Sequence, residues 1–485
     1  MKAIHYQSAT RLCALLRQCR IGCLELLTHF LDRVERYNGT INAVVWMDVK
    51  AARRRAREAD AALARGEHWG PLHGLPMTVK EAYDLAGSPS THGIPAWRDN
   101  IAQADSVVVA RLKAAGAVIF GKTNLPYAMA DWQSYNDIHG TTRNPWDTER
   151  VPGGSSGGSA AALAAGLTGA EAGSDIGSSI RNPAHYTGTF GLKPTWGIVS
   201  QRGHAPPGWV EQPDVAVMGP MARSAADLEL LLGVMAAADP LDADTWKLAL
   251  AAPRSKTLKG LRIALKLGDA NVAVEREYAD CLQNLADRLA RAGAKVSDRA
   301  APKGVDTTRQ HELYLTLYRA ALSAGTETDI ANWRRALDTP LGKTNERMLR
   351  GMLQGNTLSH RQWLQWDNER QHLRLRWAEF FDGWDLLLCP AAAGPAWPHD
   401  HEGERWMRTI AVNGRQVPVT DQLFWSGLSG LVYLPSTVGP AGFSKDGLPL
   451  GYQAIAGQGR DRTALRFSRL VEREFGGFVP PPGFE

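Results

Sequence analysis

Two Gly/Ser-rich turns, PGGSSGGS at residues 152–159 and GSDIGSS at 173–179, lie on either side of a segment of alanine and leucine. They restrict the possible folds more than any other feature of the chain. Glycine has no Cβ, so such turns expose backbone N–H groups and let a ligand approach the main chain closely. A serine on them acts as a nucleophile only when a base and an anion-stabilising pocket are close by. The stretch therefore predicts a small-residue helix at residues 159–166 and a catalytic site around the two turns.

The order of elements around these turns is typical of an α/β fold. Residues 107–115 form a helical pattern that ends at Gly116, and the apolar residues 117–120 predict the next strand. Residues 75–80 predict a short buried strand that ends at Lys80. From about residue 305 to 385 the chain becomes helical, charged and rich in tryptophan. We interpret that region as a helical insert over the core.

Composition argues against several classes of protein. The chain has 485 residues, 44% of them hydrophobic, and a net charge of +5 without a long basic block, which fits an enzyme with a sizeable core better than a nucleic-acid binder. Its five cysteines form no C-x-x-C pair, and residues 399–402 (HDHE) predict an exposed loop, so neither a disulfide framework nor a metal site is expected. No apolar run approaches 18 residues. We expect a cytoplasmic protein with no cofactor, no nucleic-acid partner and no membrane contact.

One short motif offers an alternative chemistry. Residues 153–157 (GGSSG) match the G-x-S-x-G pattern of the nucleophile elbow, in which Ser155 is the nucleophile of an α/β-hydrolase-like esterase. That elbow sits between a strand and a helix, whereas residues 150–152 (RVP) predict a poor strand. On the sequence alone, this alternative stays open.

Several longer motifs, in a specific order, resemble the amidase signature family. The resemblance covers roughly residues 1–245 and 384–475 and is weak from 300 to 380. The matching segments are LHGLPMTVK (72–80), PGGSSGGS (152–159), GSDIGSSIR (173–181), GLKPT (191–195), GPMARS (219–224) and GLPLGYQ (447–453). The resemblance implies a single large α/β domain, with a twisted mixed β-sheet covered on both faces by helices. Its expected parts are N-terminal helices at about 1–70, a catalytic core at about 71–245, the helical insert at about 300–384 and a C-terminal core segment at about 385–475.

The resemblance also implies the catalytic residues. Ser179, the serine before Ile180 and Arg181, corresponds to the family's nucleophile. Ser155 corresponds to the bridging serine, which in the family follows a cis peptide bond, and Lys80 corresponds to the distal base. A serine needs a base to take its proton, and a lysine is a base only when neutral, although its ordinary pKa is about 10.4. Burial lowers that pKa, so we expect Lys80 to draw the proton of Ser155, and Ser155 that of Ser179.

The anion-stabilising group is expected to be the backbone N–H groups of Ile176, Gly177, Ser178 and Ser179, since several donors converging on one oxygen suit a tetrahedral intermediate. Ser178 departs from the family, which usually has a second glycine there, and this side chain either narrows the loop or adds a hydrogen bond.

Four other polar residues near these motifs are expected to serve the structure. Asp175 and Arg181 are predicted to form a buried pair that shapes the loop. His73 and His185 are predicted to be packed or solvent-bonded, because the resemblance assigns them no role.

The substrate is expected to meet residues Met129, Ala130, Asp131 and Trp132, because the matching segment of the family lines the acyl pocket. They offer apolar and aromatic surface with one acid, and the tryptophan-rich insert is expected to complete the wall. We therefore expect a serine amidohydrolase that cleaves a small, mostly apolar or aryl amide, anilide or carbamate through an acyl-enzyme on Ser179. The main alternative is the A-type subunit of a glutamyl-tRNA amidotransferase, which works in a complex with a tRNA-binding partner and usually has Gln where this chain has Asn182. A homodimer is possible on the sequence alone.

Overall fold

The protein is described by a computed structural model that covers residues 3–323, 325–339, 341 and 345–485. Its framework is a mixed β-sheet system. The strands are β1 (Val44–Met47), β2 (Pro76–Lys80), β3 (Val118–Thr123), β4 (Tyr135–Asn136), β5 (Gly140–Thr141), β6 (Glu171–Asp175), β7 (Phe190–Lys193), β8 (Val217–Ala222), β9 (Arg262–Leu265), β10 (Lys295–Ser297), β11 (Leu386–Pro390), β12 (Thr409–Val412), β13 (Arg415–Pro418), β14 (Ser436–Phe443) and β15 (Pro449–Ile455).

The main sheet has eight strands in the order β10-β9-β11-β15-β14-β7-β8-β6, and a smaller sheet has the order β1-β3-β2. Strand β9 is parallel to both β10 and β11, whereas β6, β7, β8, β14 and β15 pair antiparallel. Two backbone hydrogen bonds join the sheets, from the Thr78 N–H to the Ala170 carbonyl at 3.4 Å and from the Gly169 N–H to the Pro76 carbonyl at 3.2 Å. This junction brings Lys80, at the end of β2, beside β6.

Helices flank the sheets. They are α1 (Ala9–Arg17), α2 (Cys23–Ile41), α3 (Val49–Ala64), α4 (Val107–Ala114), α5 (Gly157–Ala164), α6 (Arg181–Thr187), α7 (Ala225–Met235), α8 (Arg276–Arg291), α9 (Thr307–Ala320), α10 (Glu327–Leu337), α11 (Glu346–Thr357), α12 (His360–Gly383), α13 (Leu423–Gly430) and α14 (Asp461–Phe475). Within the described residues, no helix is both long and apolar enough to cross a membrane.

Helix α5 is the small-residue helix predicted from the sequence, and its composition follows from its position. All eight of its residues are buried. A Cβ on Gly158 would lie 2.4 Å from the backbone nitrogen of Asn124, and one on Gly154, just before the helix, would lie 2.4 Å from the carbonyl oxygen of Asp131. Backbone atoms cannot move aside to make room for a Cβ, so only glycine lets the first serine turn pack against residues 124–133.

The fold prediction is confirmed as a single α/β domain with a large mixed sheet flanked by helices. The charged, tryptophan-rich region forms helices α9 to α12. Helices α9, α11 and α12 share a core cluster with β11 and α13, in which Tyr314, Trp377 and Trp425 are buried. They therefore belong to the packed body of the molecule.

Candidate active site

Lys80 is the centre of the candidate site. Its side chain is fully buried, and Nζ donates to Ser155 Oγ at 2.6 Å and to Ser174 Oγ at 2.9 Å. Among the described residues no carboxylate lies within ion-pair distance of Nζ, and the charges of Asp175 and Glu81 only partly oppose the effect of burial on its pKa. Burial disfavours the ammonium form and lowers the pKa of Lys80 from 10.5 to about 7. Near neutral pH, therefore, a large share of Lys80 is an uncharged amine.

The two serine loops are tied together by Asn182. Its Oδ1 accepts from the Gly154 N–H at 3.0 Å, while its Nδ2 donates to the carbonyls of Gly154 at 2.6 Å and Ser178 at 2.8 Å. The Ser156 N–H also donates to the Ser179 carbonyl at 3.1 Å. The peptide bond between Gly154 and Ser155 is cis, as the resemblance implied. These contacts set Ser155 and Ser179 on the wall of one cavity.

The second serine loop is shaped by the predicted pair of Asp175 and Arg181. Both side chains are fully buried, and Arg181 donates to both carboxylate oxygens at 2.9 Å. The carboxylate also accepts from the N–H groups of Ser178 at 2.9 Å and Ile180 at 3.1 Å. Burial by itself would raise the pKa of Asp175, but the Arg181 charge and these donors bring it below its ordinary value. The pair is thus structural and holds the loop in a tight turn.

The four backbone N–H groups that were predicted to stabilise an anion are not equivalent in this turn. The Ser178 N–H is engaged by Asp175, whereas those of Ile176, Gly177 and Ser179 have no acceptor within the described part of the chain. Ser178 has a φ of +74°, a left-handed conformation that glycine adopts without cost. Its hydroxyl is buried and finds no hydrogen-bond partner among the described residues, so the substituted side chain adds no bond to the loop.

The serines open on a cavity of about 810 Å³, here called the main cavity. Its wall includes Ser155, Ser174 and Ser179 and three of the predicted substrate residues, Met129, Ala130 and Asp131. A smaller recess, here called the side pocket, also reaches Ser179 and is lined by the same three residues together with Trp132. The main cavity has a volume that is usual for a small-molecule site, whereas the side pocket has about 60 Å³.

Asp131, the one acid of the predicted substrate segment, has its charge balanced by Arg408, which the sequence analysis did not single out. Arg408 donates to Asp131 Oδ2 at 2.7 Å, and both side chains are mostly buried. Trp132 donates from Nε1 to the Gly177 carbonyl at 2.7 Å. The segment is therefore attached both to the serine loop and to residues 403–408, and its acid does not stand free in the cavity.

The helical insert contributes to the wall, but its tryptophans do not. Tyr318 and Met348 line the side pocket, and Arg319 and Leu322 line the main cavity. The insert thus forms part of the wall, but none of its tryptophans lines either cavity; Trp377, for example, packs in the core against Phe380. The tryptophan that does reach both cavities, Trp406, lies outside the insert.

The two histidines without an expected role are packed in the interior. His73 bonds through its ring to the Ala59 carbonyl and the Trp69 N–H, and His185 to the Gly394 carbonyl and the Gly451 N–H.

In residues 399–402, His401 is exposed and stacks on Tyr135, while His399 is half-buried. In the described ranges, no three His, Cys, Asp or Glu side chains are grouped so as to hold a metal ion.

The elbow interpretation fails on its structural context. Of residues 150–152, Arg150 makes only an isolated bridge to Pro398, and no strand leads into the serines. Ser174 and Asn182 are residues that motif reading left without a role, although both stand inside or beside the quoted motifs. Ser174 could have been noticed in the sequence, because it stands next to Asp175 on the strand that leads into the second serine loop.

The mixed sheet, the two glycine–serine loops and the lysine buried between them are features of the amidase signature enzymes. The sequence model of the Amidase family matches residues 25–465, so the chain belongs to this family.

The most similar relatives include hydrolases of amides. The indoleacetamide hydrolase of Bradyrhizobium diazoefficiens is 33% identical over 97% of this chain and 86% of its own length. The acylamidase of Rhodococcus erythropolis is 31% identical over 97% of this chain and 95% of its own length. A component of the glutamyl-tRNA(Gln) amidotransferase of Bdellovibrio bacteriovorus is 29% identical over 93% and 94% of the two chains. The chain is an amide-hydrolysing enzyme of the amidase signature type.

The fold matches solved structures of the same family. A bacterial aryl acylamidase superposes with a TM-score of 0.81 at 24% identity, over 98% of this chain and 97% of that one. At this identity the likeness speaks for the fold alone.

Proposed function

We propose that this protein works as a free-standing serine amidohydrolase that cleaves the carbon–nitrogen bond of a small amide, anilide or carbamate through an acyl-enzyme on Ser179. The observation that carries the proposal is the 2.6 Å contact between Lys80 Nζ and Ser155 Oγ, made by a lysine that is fully buried and has a lowered pKa. A neutral amine accepts a proton through its lone pair while its N–H groups still donate, here to Ser174.

The proton path runs from Ser179 to Ser155 to Lys80. Ser179 Oγ attacks the carbonyl carbon as its proton passes to Ser155. The carbonyl oxygen becomes an anion that the free N–H groups of Ile176, Gly177 and Ser179 stabilise. The proton then returns through Ser155 to the leaving nitrogen, and water hydrolyses the acyl-enzyme.

The walls support a mostly apolar or aryl substrate. Met129, Trp132 and Leu423 give the side pocket apolar surface beside one cation, Arg405, and Arg408 balances the Asp131 charge. Burial of an apolar group there stabilises the complex by about 25 cal/mol per Å². The names of the relatives, an indoleacetamide hydrolase and an acylamidase, favour the same class of substrate.

Labelling with a sulfonyl fluoride tests the nucleophile. Mass spectrometry should find one adduct, on Ser179, and Ser179→Ala should give none while remaining folded by circular dichroism. Ser156→Ala is the matched control, because its hydroxyl accepts from the Ser174 N–H and does not reach Lys80. An adduct on Ser155 would contradict the proposal.

Turnover by the purified chain alone tests the free-standing activity. Acyl anilides, aliphatic amides and aryl carbamates should be hydrolysed without any added protein. Activity confined to glutamine, and only in the presence of a tRNA-binding partner, would instead support the amidotransferase role that one relative's name suggests.

A further inference from the structure

Two histidines lie together on the wall of the main cavity, outside the amidase signature motifs. His92 and His204 are 2% and 7% exposed, and their ring centroids are 6.2 Å apart. The His92 ring stands edge-on to Trp97 at 5.7 Å, and the His204 ring edge-on to Tyr83 at 4.7 Å. Both rings line the same cavity as Ser155 and Ser179. They are therefore a fixed part of the surface that a substrate meets.

The Nε2 atom of each ring is buried and has no hydrogen-bond partner within the described residues. Buried polar atoms nearly always have a partner, because leaving one without a hydrogen bond destabilises the fold. His73 and His185, which are buried away from this cavity, do have partners on both ring nitrogens. Other buried histidines, such as His311, also have an unpartnered ring nitrogen, so what distinguishes His92 and His204 is that they combine this state with a place on the wall of the main cavity.

Both rings are uncharged at neutral pH. Burial, ahead of the neighbouring charges of Lys122 and Lys80, lowers the pKa of His92 to about 4 although Glu81 opposes the shift. Burial and Lys80 hold the pKa of His204 well below its ordinary value. A neutral imidazole has one N–H donor and one acceptor nitrogen. The pair therefore suits a neutral polar group and does not suit an ion.

The position of Ser155 indicates which half of the substrate reaches them. Ser179 and Ile176 line both cavities, whereas Gly177, whose N–H group is free, lines the side pocket and Ser155 does not. Ser155 lines the main cavity, as do His92 and His204. In the proposed mechanism Ser155 delivers the proton to the leaving nitrogen, so the amine half must lie on its side, and the acyl half in the side pocket.

We propose that His92 and His204 form a polar subsite for the leaving amine. The ligand class is an aryl or alkyl amine that carries a neutral hydrogen-bonding substituent, such as a hydroxyl, ether or carbonyl group. Trp97 and Met218 supply apolar wall beside them. This inference rests on the proposed hydrolytic function and adds the selectivity for one half of its substrate.

Matched anilides with one common acyl group test the subsite. The 3- and 4-hydroxyanilides are compared with the 3- and 4-methylanilides, which have nearly the same shape but cannot hydrogen-bond. One hydrogen bond between neutral partners is worth about 1 kcal/mol, so the wild type should favour one hydroxyanilide over its methyl counterpart roughly fivefold in kcat/KM. His204→Leu should abolish this preference, mainly by lowering kcat/KM for the hydroxyanilide, and His204→Gln, which keeps a donor and an acceptor, should retain part of it.

Further variants separate the subsite from general destabilisation. His92→Asn keeps a polar group at a position whose φ of +52° asparagine tolerates, and it should weaken the preference less than His204→Leu does. His311→Leu is the control, because His311 is 3% exposed with an unpartnered Nδ1 among the described residues but lines neither cavity. It should keep the wild-type preference.

The outcomes distinguish the two proposals. An aryl ester with the same acyl group forms the same acyl-enzyme, so its deacylation rate should be equal in wild type and His204→Leu. If Ser179 is not acylated, the proposed function itself fails. If anilides are hydrolysed through Ser179 but the wild type prefers neither hydroxyanilide, the proposed subsite is wrong. It is also wrong if His204→Leu and His311→Leu change the preference for the hydroxyanilide by the same factor.

Discussion

At the scale of single residues, the place of a lysine in the fold decides whether its amine can act as a base. Lys80 and Lys122 are both buried lysines, yet Lys122 donates to Ser90 and has Glu81 and Asp84 near it, whereas Lys80 faces two serine hydroxyls. Burial lowers the pKa of both, to about 7 for Lys80 and to about 8 for Lys122. The Lys80 amine is the one placed against a hydroxyl that can pass a proton onward.

Activity should therefore depend on pH through Lys80. Only the neutral amine accepts a proton, so kcat/KM of the wild type should rise as pH increases through about 7 and level off above it. Lys80→Ala should lose this limb and about 10²–10⁴-fold of the rate at pH 7–8. Lys80→Arg should not rescue activity, because a guanidinium stays protonated. The measurement is a pH–rate profile on an anilide, and near-wild-type turnover by Lys80→Arg would show that another group is the base.

Ser178 should be replaceable by glycine with a gain in stability. A non-glycine residue in the left-handed region costs about 1–2 kcal/mol, which the extra chain freedom of glycine offsets only in part. Ser178→Gly should therefore raise the free energy of unfolding by up to about 1 kcal/mol in urea denaturation. Ser178→Ala, which keeps the Cβ at the same φ of +74°, serves as the comparison. Equal stability of these two variants would mean that the backbone at this position is not strained.

At the scale of elements, the second serine loop depends on one buried ion pair. Asp175 ends β6 and Arg181 begins α6, so the pair closes the turn between strand and helix. Arg181 also donates to the Ser426 carbonyl, Ser429 Oγ and Gln453 Oε1 at 2.8–3.1 Å. The loop is therefore fixed to α13 and β15 as well as to itself.

Removing the carboxylate charge should destabilise this whole unit. Asp175→Asn leaves the Arg181 charge buried without its counter-ion, which costs about 3–5 kcal/mol. The double variant Asp175→Asn, Arg181→Met should recover part of that loss, because no buried charge remains. Urea denaturation of both variants is the measurement. Glu58→Gln, in the exposed pair of Glu58 with Arg54, is the control and should change little. A double variant less stable than Asp175→Asn would refute the charge argument.

At the scale of the whole molecule, the end of the chain packs on its beginning. The Phe484 carbonyl accepts from Tyr6 Oη at 2.7 Å and from Arg33 at 2.6 Å. Phe478 and Phe484 are buried in the core cluster that contains Tyr6 and helix α2. Residues 478–485 thus pack against the N-terminal helices.

Truncation after residue 477 should lower stability without changing the chemistry. It exposes the surface that Phe478 and Phe484 cover and removes an acceptor from Arg33, so we expect a loss of about 3–5 kcal/mol. Thermal unfolding measures it, and kcat/KM at a temperature where the truncated chain is folded should stay near the wild-type value. Val479→Ser, at a residue that is 47% exposed, is the control. An unchanged Tm after truncation would contradict this account.

The sequence by itself determined the family, the α/β fold and the segments that meet at the candidate site. Lys80, Ser155 and Ser179 stand in long motifs, and the glycines beside them are required by backbone contacts that no other residue permits. Such local constraints leave a readable pattern. The small-residue helix and the strand that ends at Lys80 were predicted for the same reason, since burial imposes a composition on consecutive residues.

Only the tertiary structure decided which distant residues complete the site. Arg408 neutralises Asp131 across 277 positions of sequence, and His92 and His204 are 112 positions apart in the chain but share one cavity wall. Contacts between such residues impose no periodicity or spacing, so no pattern in the chain foretells them. The pKa of Lys80 is also a tertiary property, because it depends on how completely β2, β6 and the first serine loop exclude water from the amine.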